Sequence, residues 1–417
     1  MGLRKNYHWL IVGLVLLEMM VFGGVINSFS VFMIPLCESL NITRGTFALA
    51  TTPYTVMTFV STIFSGYFVK RWGYRRSAIF SLLLAASGMA LMSAANTVAL
   101  FCISRILFAM GYGVCFTAGA VGIAREWFWK HQGLVIGIVT MGTGVGGSLM
   151  TLLITVVMES TNWQVASLLV AASLAMIAVS YLLLRNRPEE MNLRPFGFGQ
   201  LPKEKKTRTG ETIWEGYSLR EQMTQPAFYL MIFCLLVCCG CIYITTMVVV
   251  PHFRDLGYSP EAAAGYNSIL MLTLAVAKLG CGALSDRLGA KSVTVGCVAC
   301  AVIGQTILGL TDQFLLCYVG ILLFAIGMCM TSSMVPLLAA SLFGYKGSTY
   351  SNGVFLSMTA IANIVSTPVT NLSYDKHGSY MPIFRVAAGI NLGVLVLIFV
   401  LFILANREKQ KFLKNRA

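Results

Sequence analysis

The chain has 417 residues, of which 57% are hydrophobic and 11% charged, with a mean hydropathy of +0.77. A soluble protein of this size cannot hide so much apolar surface, and the charges cluster so that long runs are free to span a bilayer as helices. The formal net charge of +14 would suit a nucleic-acid binder, but the basic residues fall in alternate loops, the signature of membrane orientation.

Arg4 and Lys5 precede the first apolar run, which is long and lacks a small-residue cleavage site, so it reads as a retained span. Asn6 occupies the position where a myristoylation signal needs Ser or Thr. Hydropathy predicts twelve spans, at about 8–34, 47–69, 77–95, 98–122, 133–157, 163–184, 228–251, 262–285, 292–310, 314–341, 349–372 and 381–405. A polar segment with Pro188, Pro195 and Pro202 separates spans 6 and 7. The predicted organisation is an N-terminal bundle (1–184), a linker (185–227), and a C-terminal bundle with a short tail (228–417). With the N-terminus inside, 24 of the 30 basic residues fall on the cytoplasmic side and four outside. Both termini are therefore expected in the cytoplasm.

The remaining two basic residues, Arg105 in span 4 and Lys278 in span 8, lie inside spans, as does one acid, Glu18 in span 1. Intramembrane charges are expensive and mark candidate functional sites. Lys278 lies seven residues, or about 10 Å, from the predicted inner end of its helix, with Ala275 and Gly282 on its face. A lysine snorkelling to the interface is the bland alternative. Glu18 is a candidate proton carrier, or a neutral acid bonded to a neighbouring helix. Arg105 cannot give up its charge and is read as a permanent partner for an acid or anion. Asn27, Tyr54, Phe116, Asn267, Tyr350 and Asn363 are further candidates for lining a cavity.

Eleven of the twelve cysteines lie in apolar runs. Cys234, Cys238 and Cys241 share a helical face, but no acid or histidine accompanies them, so they read as packing groups and no metal is implied. Gly142-x-Gly144-x-x-Gly147 matches the dinucleotide fingerprint only formally, because it lies inside an apolar helix. Nothing implies a nucleotide, another cofactor or a catalytic triad, and the chain reads as no enzyme.

The chain repeats. The layout of G-Y-F-V-K-R-W-G-Y-R at 66–75 returns at 282–291, with Gly66, Arg71 and Gly73 matching Gly282, Arg287 and Gly289. Phe128 and Gly137 match Phe343 and Gly353 in nearly the same register. The expected fold is an all-α membrane protein of twelve transmembrane helices in two pseudo-symmetric six-helix bundles, with a substrate site between the halves near the midplane. In the first copy the position matching Lys278 is Thr62, so the lysine is not part of the repeat.

These turns resemble the G-x-x-x-D-R-x-G-R-[RK] loop of the major facilitator superfamily. Asp286 and Arg287 are kept in the second copy, whereas Lys70 stands where the first copy usually has Asp. E-W-F-W-K-H-Q-G-L-V-I-G at 126–137, R-N-R-P-E-E-M-N-L-R-P-F-G at 185–197 and F-R-D-L-G-Y-S-P-E-A-A-A at 253–264 are similar to segments of the monocarboxylate transporters and oxalate/formate antiporters. The resemblance places Lys278 where those families carry a substrate-binding arginine. The chain also departs from the families it resembles: Thr359, Asn27 and Leu274 stand where relatives have a second cation, a lysine and an aspartate. The glycine-rich span 5 is similar to one associated in the superfamily with the interface between halves.

The expectation is a secondary active transporter of small organic anions, chiefly monocarboxylates, working as a monomer by proton symport or anion exchange. It would reside in a bacterial inner membrane or plasma membrane. Lys278, Asn27, Tyr54, Phe116 and Thr359 are the expected substrate residues. The alternatives are an exporter of amphipathic drugs or other hydrophobic compounds, and a non-transporting membrane sensor or assembly partner.

Overall fold

The computed structural model describes residues 7–42, 44–128, 131–186, 188–191, 193, 196, 216–258, 260–344 and 346–414. Among them the regular structure is helical, apart from one isolated pairing of Phe128 with Phe196. A segment crossing lipid must satisfy its own backbone groups, which a helix does residue by residue.

The chain divides into two compact units, Met1–Glu204 and Lys205–Ala417. Unit 1 contains α1 (Tyr7–Ser28), α2 (Met33–Ser39), α3 (Arg44–Trp72), α4 (Tyr74–Ser93), α5 (Val98–Trp127), α6 (Gln132–Ser160) and α7 (Trp163–Ser180). Unit 2 contains α8 (Leu219–Met223), α9 (Pro226–Asp255), α10 (Pro260–Leu288), α11 (Ala290–Leu310), α12 (Phe314–Gly327), α13 (Met334–Phe343), α14 (Ser348–His377) and α15 (Met381–Lys414).

Among the described residues, eleven helical stretches are long and apolar enough to cross a membrane. The predicted second span forms α3. It is as long as its neighbours at 29 residues, but carries six threonines and two serines. Several of those hydroxyls turn back onto carbonyls, as in Thr58 Oγ1 to Tyr54 O at 2.8 Å and Ser65 Oγ to Thr62 O at 2.7 Å.

Two predicted spans are broken. Span 1 passes through a 3-10 turn at Phe29–Phe32 before α2, and span 10 through one at Met328–Thr331 before α13. Pro35 and Pro336 follow these turns, and a proline ring clashes with the carbonyl four residues back. Pro53, Pro251 and Pro368 are nevertheless held inside continuous helices. The second break has additional help, because Thr331 and Ser333 hydroxyls bond the carbonyls of Met328 and Cys329.

The units repeat their internal packing. In unit 1, α1 packs on α6, α3 on α5, and α4 on both α5 and α7. In unit 2, α9 packs on α14, α10 on α12, and α11 on both α12 and α15. The matching turns share one backbone shape: Gly73 has φ 77° and ψ 161°, Gly289 has φ 85° and ψ 147°. That region is essentially closed to side-chain-bearing residues, so both turns require glycine.

The glycines of α6 serve the α1 contact inside unit 1. A Cβ on Gly142 would lie 2.8 Å from the Leu16 carbonyl oxygen, and Gly146 abuts Met20. Gly23 and Gly24 answer them from α1, against Thr143 and Met150. Small residues let two backbones approach within contact distance.

The described linker ends are docked on their own units. Phe196 N–H donates to Trp127 O at 2.8 Å, and Tyr217 N–H donates to Phe343 O at 3.0 Å. Trp127 stands to Phe343 as Gly73 does to Gly289, so Trp127 plays the part in the repeat that the sequence assigned to Phe128. Beyond Tyr217, a capping box between Ser218 and Glu221 starts α8. Residues 197–215 of the predicted linker lie outside the described residues.

Candidate functional site

Lys278 lies on α10 in unit 2 and is only 4% exposed. The helix runs to Leu288, three residues past its predicted end, which sets Lys278 about 15 Å from the terminus rather than about 10 Å. That depth and burial disfavour simple snorkelling. Leu274 and Ala275, one turn before it, are buried, and Gly282, one turn after it, is buried too. The α10 helix contacts the Met328–Thr331 turn, and Cys329 in that turn is within electrostatic reach of the ammonium. A broken helix places backbone dipoles beside a buried charge, an arrangement that recurs where transporters hold ions and anions.

A thiol cluster adjoins it. Cys281 Sγ lies 3.6 Å from Cys297 Sγ on α11, and Cys329 adjoins the pair. The sequence reading missed this cluster, because the three cysteines come from three helices and show no local spacing. No group of His, Cys, Asp or Glu suited to a metal occurs among the described residues. Cys234, Cys238, Cys239 and Cys241 are buried free thiols.

Glu18 is fully buried in unit 1. Tyr74 from the start of α4 donates to Glu18 Oε2 at 3.2 Å, and Tyr181, just after α7, donates to the same oxygen. The two phenol oxygens are 3.2 Å apart. Oε1 has no hydrogen-bond partner, although the Cys115 thiol on α5 lies near the carboxyl. These partners tie α1 to the α4–α7 pair.

Arg105 on α5 is 4% exposed and has no acid beside it among the described residues. Aromatic faces surround it instead: its guanidinium carbon is 3.5 Å from the Phe29 ring centre, 4.2 Å from Tyr54 and 5.5 Å from Phe108. Nε and Nη1 are buried without hydrogen-bond partners. A desolvated cation over aromatic faces is stabilised by about 2 kcal/mol or more. Tyr54 is thus joined to Arg105, whereas Glu18 and Arg105 form no ion pair. Phe22, one turn after Glu18, packs at 5.9 Å on Phe108, a ring that Arg105 also faces.

The other candidates make contacts within their own units. Asn27 donates to Thr143 O at 3.3 Å and packs against Gly147, so it joins α1 to α6. Thr359 turns its hydroxyl onto Leu356 O of its own helix at 2.6 Å. The side chain of Phe116 lies outside the described residues. Arg71 donates to Tyr67 Oη at 3.0 Å on its own helix; Gly66 is buried, and Asp286 and Arg287 are exposed in the last turn of α10.

Two repeated helical units, with charges buried inside their apolar helices, define a polytopic membrane transport protein. The sequence profile of the Major Facilitator Superfamily matches residues 14–351, and the chain belongs to that family, one of transporters rather than enzymes. It is 23% identical over 327 residues to Monocarboxylate transporter 12 of Rattus norvegicus, covering 72% of this chain and 66% of that protein. It is 26% identical over 313 residues to the Fujikurins efflux protein of Gibberella fujikuroi, covering 74% of this chain and 58% of that one. The solved proton:xylose symporter XylE superposes with a TM-score of 0.75 at 13% identity, over 95% of this chain and 96% of its own.

Proposed function

We propose that the protein is a secondary active transporter of small organic anions, with monocarboxylates as its substrates. The observation that carries this reading is Lys278: a cation held almost wholly inside a spanning helix, beside the break in the neighbouring span. An ammonium is a point charge without the two-pronged geometry of a guanidinium, so one such group suits a single carboxylate. The similarity to a monocarboxylate transporter agrees with that chemistry. Segments 1–184 and 228–417 would act as the two moving bodies of an alternating-access cycle, joined by the 185–227 linker. The charge pattern supports a plasma or inner membrane location with both termini in the cytoplasm. Coupling is by proton symport, with Glu18 as the carrier, or by exchange of one anion for another; the protein works as a monomer.

The test is uptake of labelled lactate, acetate, formate and oxalate into proteoliposomes, with and without an imposed pH gradient. Saturable uptake of the three monoanions in preference to oxalate is expected. A second reading, export of amphipathic compounds, is favoured by the similarity to an efflux protein. It predicts no saturable uptake of any of these acids.

A further inference from the structure

Unit 1 holds a crevice of about 190 Å³ between α3, α4 and α5, well separated in chemistry from the buried charges. Its walls include Met57, Phe64, Trp72, Phe80, Leu84 and Val114. The serines along it turn inward: Ser61 Oγ donates to Ala109 O at 3.0 Å and Ser77 Oγ to Phe68 O at 3.1 Å. The surface left to an occupant is therefore hydrocarbon and aromatic. Phe64 and Phe80 are 54% and 53% exposed on helices that the fold places in the bilayer, so the mouth faces acyl chains.

One end of the crevice is different. Trp72 closes it, packed edge-on to Phe80 at 5.7 Å and against Phe68 at 5.3 Å. Tryptophan in this position sits at the level of lipid headgroups. Lys70, Arg71, Arg75 and Arg76 flank it in the sequence, and no acidic residue occurs anywhere between Glu38 and Glu126. Arg75 is committed to the Leu182 carbonyl. Arg76 is exposed, and it lies on the same α4 stripe as Phe80 and Leu84, at i, i+4 and i+8. Arg71 is exposed one turn after Phe68 and spends one of its five N–H groups on Tyr67 Oη.

We propose that this crevice is a binding site for one anionic phospholipid, with an acyl chain along α3 and α4 and the phosphate at Arg71 and Arg76. The juxtaposition selects the occupant. The apolar groove needs a hydrocarbon chain, the aromatic rim marks the interface, and the basic end needs a negative headgroup. A zwitterionic lipid would bring an ammonium to α3 and α4, neither of which carries an acid.

The probe is dioleoyl-phosphatidylglycerol titrated into delipidated full-length protein in detergent, read by native mass spectrometry against the phosphatidylcholine analogue. Each arginine near the surface contributes about fivefold to binding an anionic lipid. Arg71→Ala with Arg76→Ala should therefore weaken the first phosphatidylglycerol by about 25-fold, towards the phosphatidylcholine level. Val114→Phe, which fills the crevice without touching charge, should weaken it as well. Equal binding of the two lipids, or unchanged phosphatidylglycerol binding in either variant, overturns the proposal. A measurement on the unaltered crevice guards against misfolded variants: phosphatidylglycerol with brominated acyl chains should quench wild-type fluorescence, and Trp72→Phe should remove that component. Quenching that survives Trp72→Phe intact counts against the site.

Discussion

Replacing Glu18 tests whether its enclosure is a designed part of unit 1. In Glu18→Gln the amide oxygen can still accept from Tyr74 and Tyr181, and the amide nitrogen takes the place of Oε1, which has no partner now. The cost should stay within about 1 kcal/mol, since Oε2 is exchanged for another acceptor and the unpartnered Oε1 for an amide nitrogen in the same place, so one unmade bond replaces another. In Glu18→Leu both phenols lose their acceptor. They sit 3.2 Å apart and can bond each other, so one buried hydroxyl donor is stranded. A stranded buried group costs about 1–3 kcal/mol. Unfolding from detergent is commonly irreversible, so the assay is the half-life of monodisperse protein at fixed temperature by size exclusion. Since about 1.4 kcal/mol is tenfold, Glu18→Leu should shorten it by roughly tenfold while Glu18→Gln changes it little. Equal stability of Glu18→Leu and wild type, or equal damage by both variants, would refute the reasoning. The same Glu18→Gln protein separates the coupling roles: a proton carrier loses gradient-driven uptake and keeps exchange, whereas a structural acid keeps both.

Arg105→Lys keeps a cation beside Phe29 and Tyr54 but loses the flat guanidinium stacked on them, and should lower stability by about 1 kcal/mol, part of the whole interaction, in the same half-life assay. A lysine variant as long-lived as wild type would mean that stacking of the guanidinium on the rings adds nothing to the hold on the cation. Cys281 and Cys297, with sulfurs 3.6 Å apart, should be joined by copper–phenanthroline oxidation, detected as a linked peptide by mass spectrometry. Cys297→Ser should abolish that link, and a link that persists between α10 and α11 in this variant would displace the assigned pairing.

Much of the fold is legible in the residues. Gly73 and Gly289 can be read as one device because their backbone shape excludes other side chains, so the internal repeat leaves a visible mark. The helix breaks were not legible, because Pro35 and Pro336 look no different in sequence from Pro53, which α3 absorbs. The packing of the α6 glycines against α1 needs the pairing of helices, not the content of either one. The candidate site divides the same way. An isolated charge such as Lys278 or Arg105 announces itself in an apolar run. Its surroundings do not: Tyr74 and Tyr181 lie 56 and 163 residues from Glu18, and each looks like an ordinary interfacial tyrosine until three helices are brought together.

The central claim is that Lys278 is the electrostatic partner of a transported carboxylate. The most direct measurement is saturable uptake of labelled lactate by Lys278→Ala and Lys278→Arg in proteoliposomes, each first shown to be monodisperse. Lys278→Ala should abolish saturable uptake, and Lys278→Arg, which keeps the charge, should restore part of it. Wild-type lactate transport by Lys278→Ala would contradict the account.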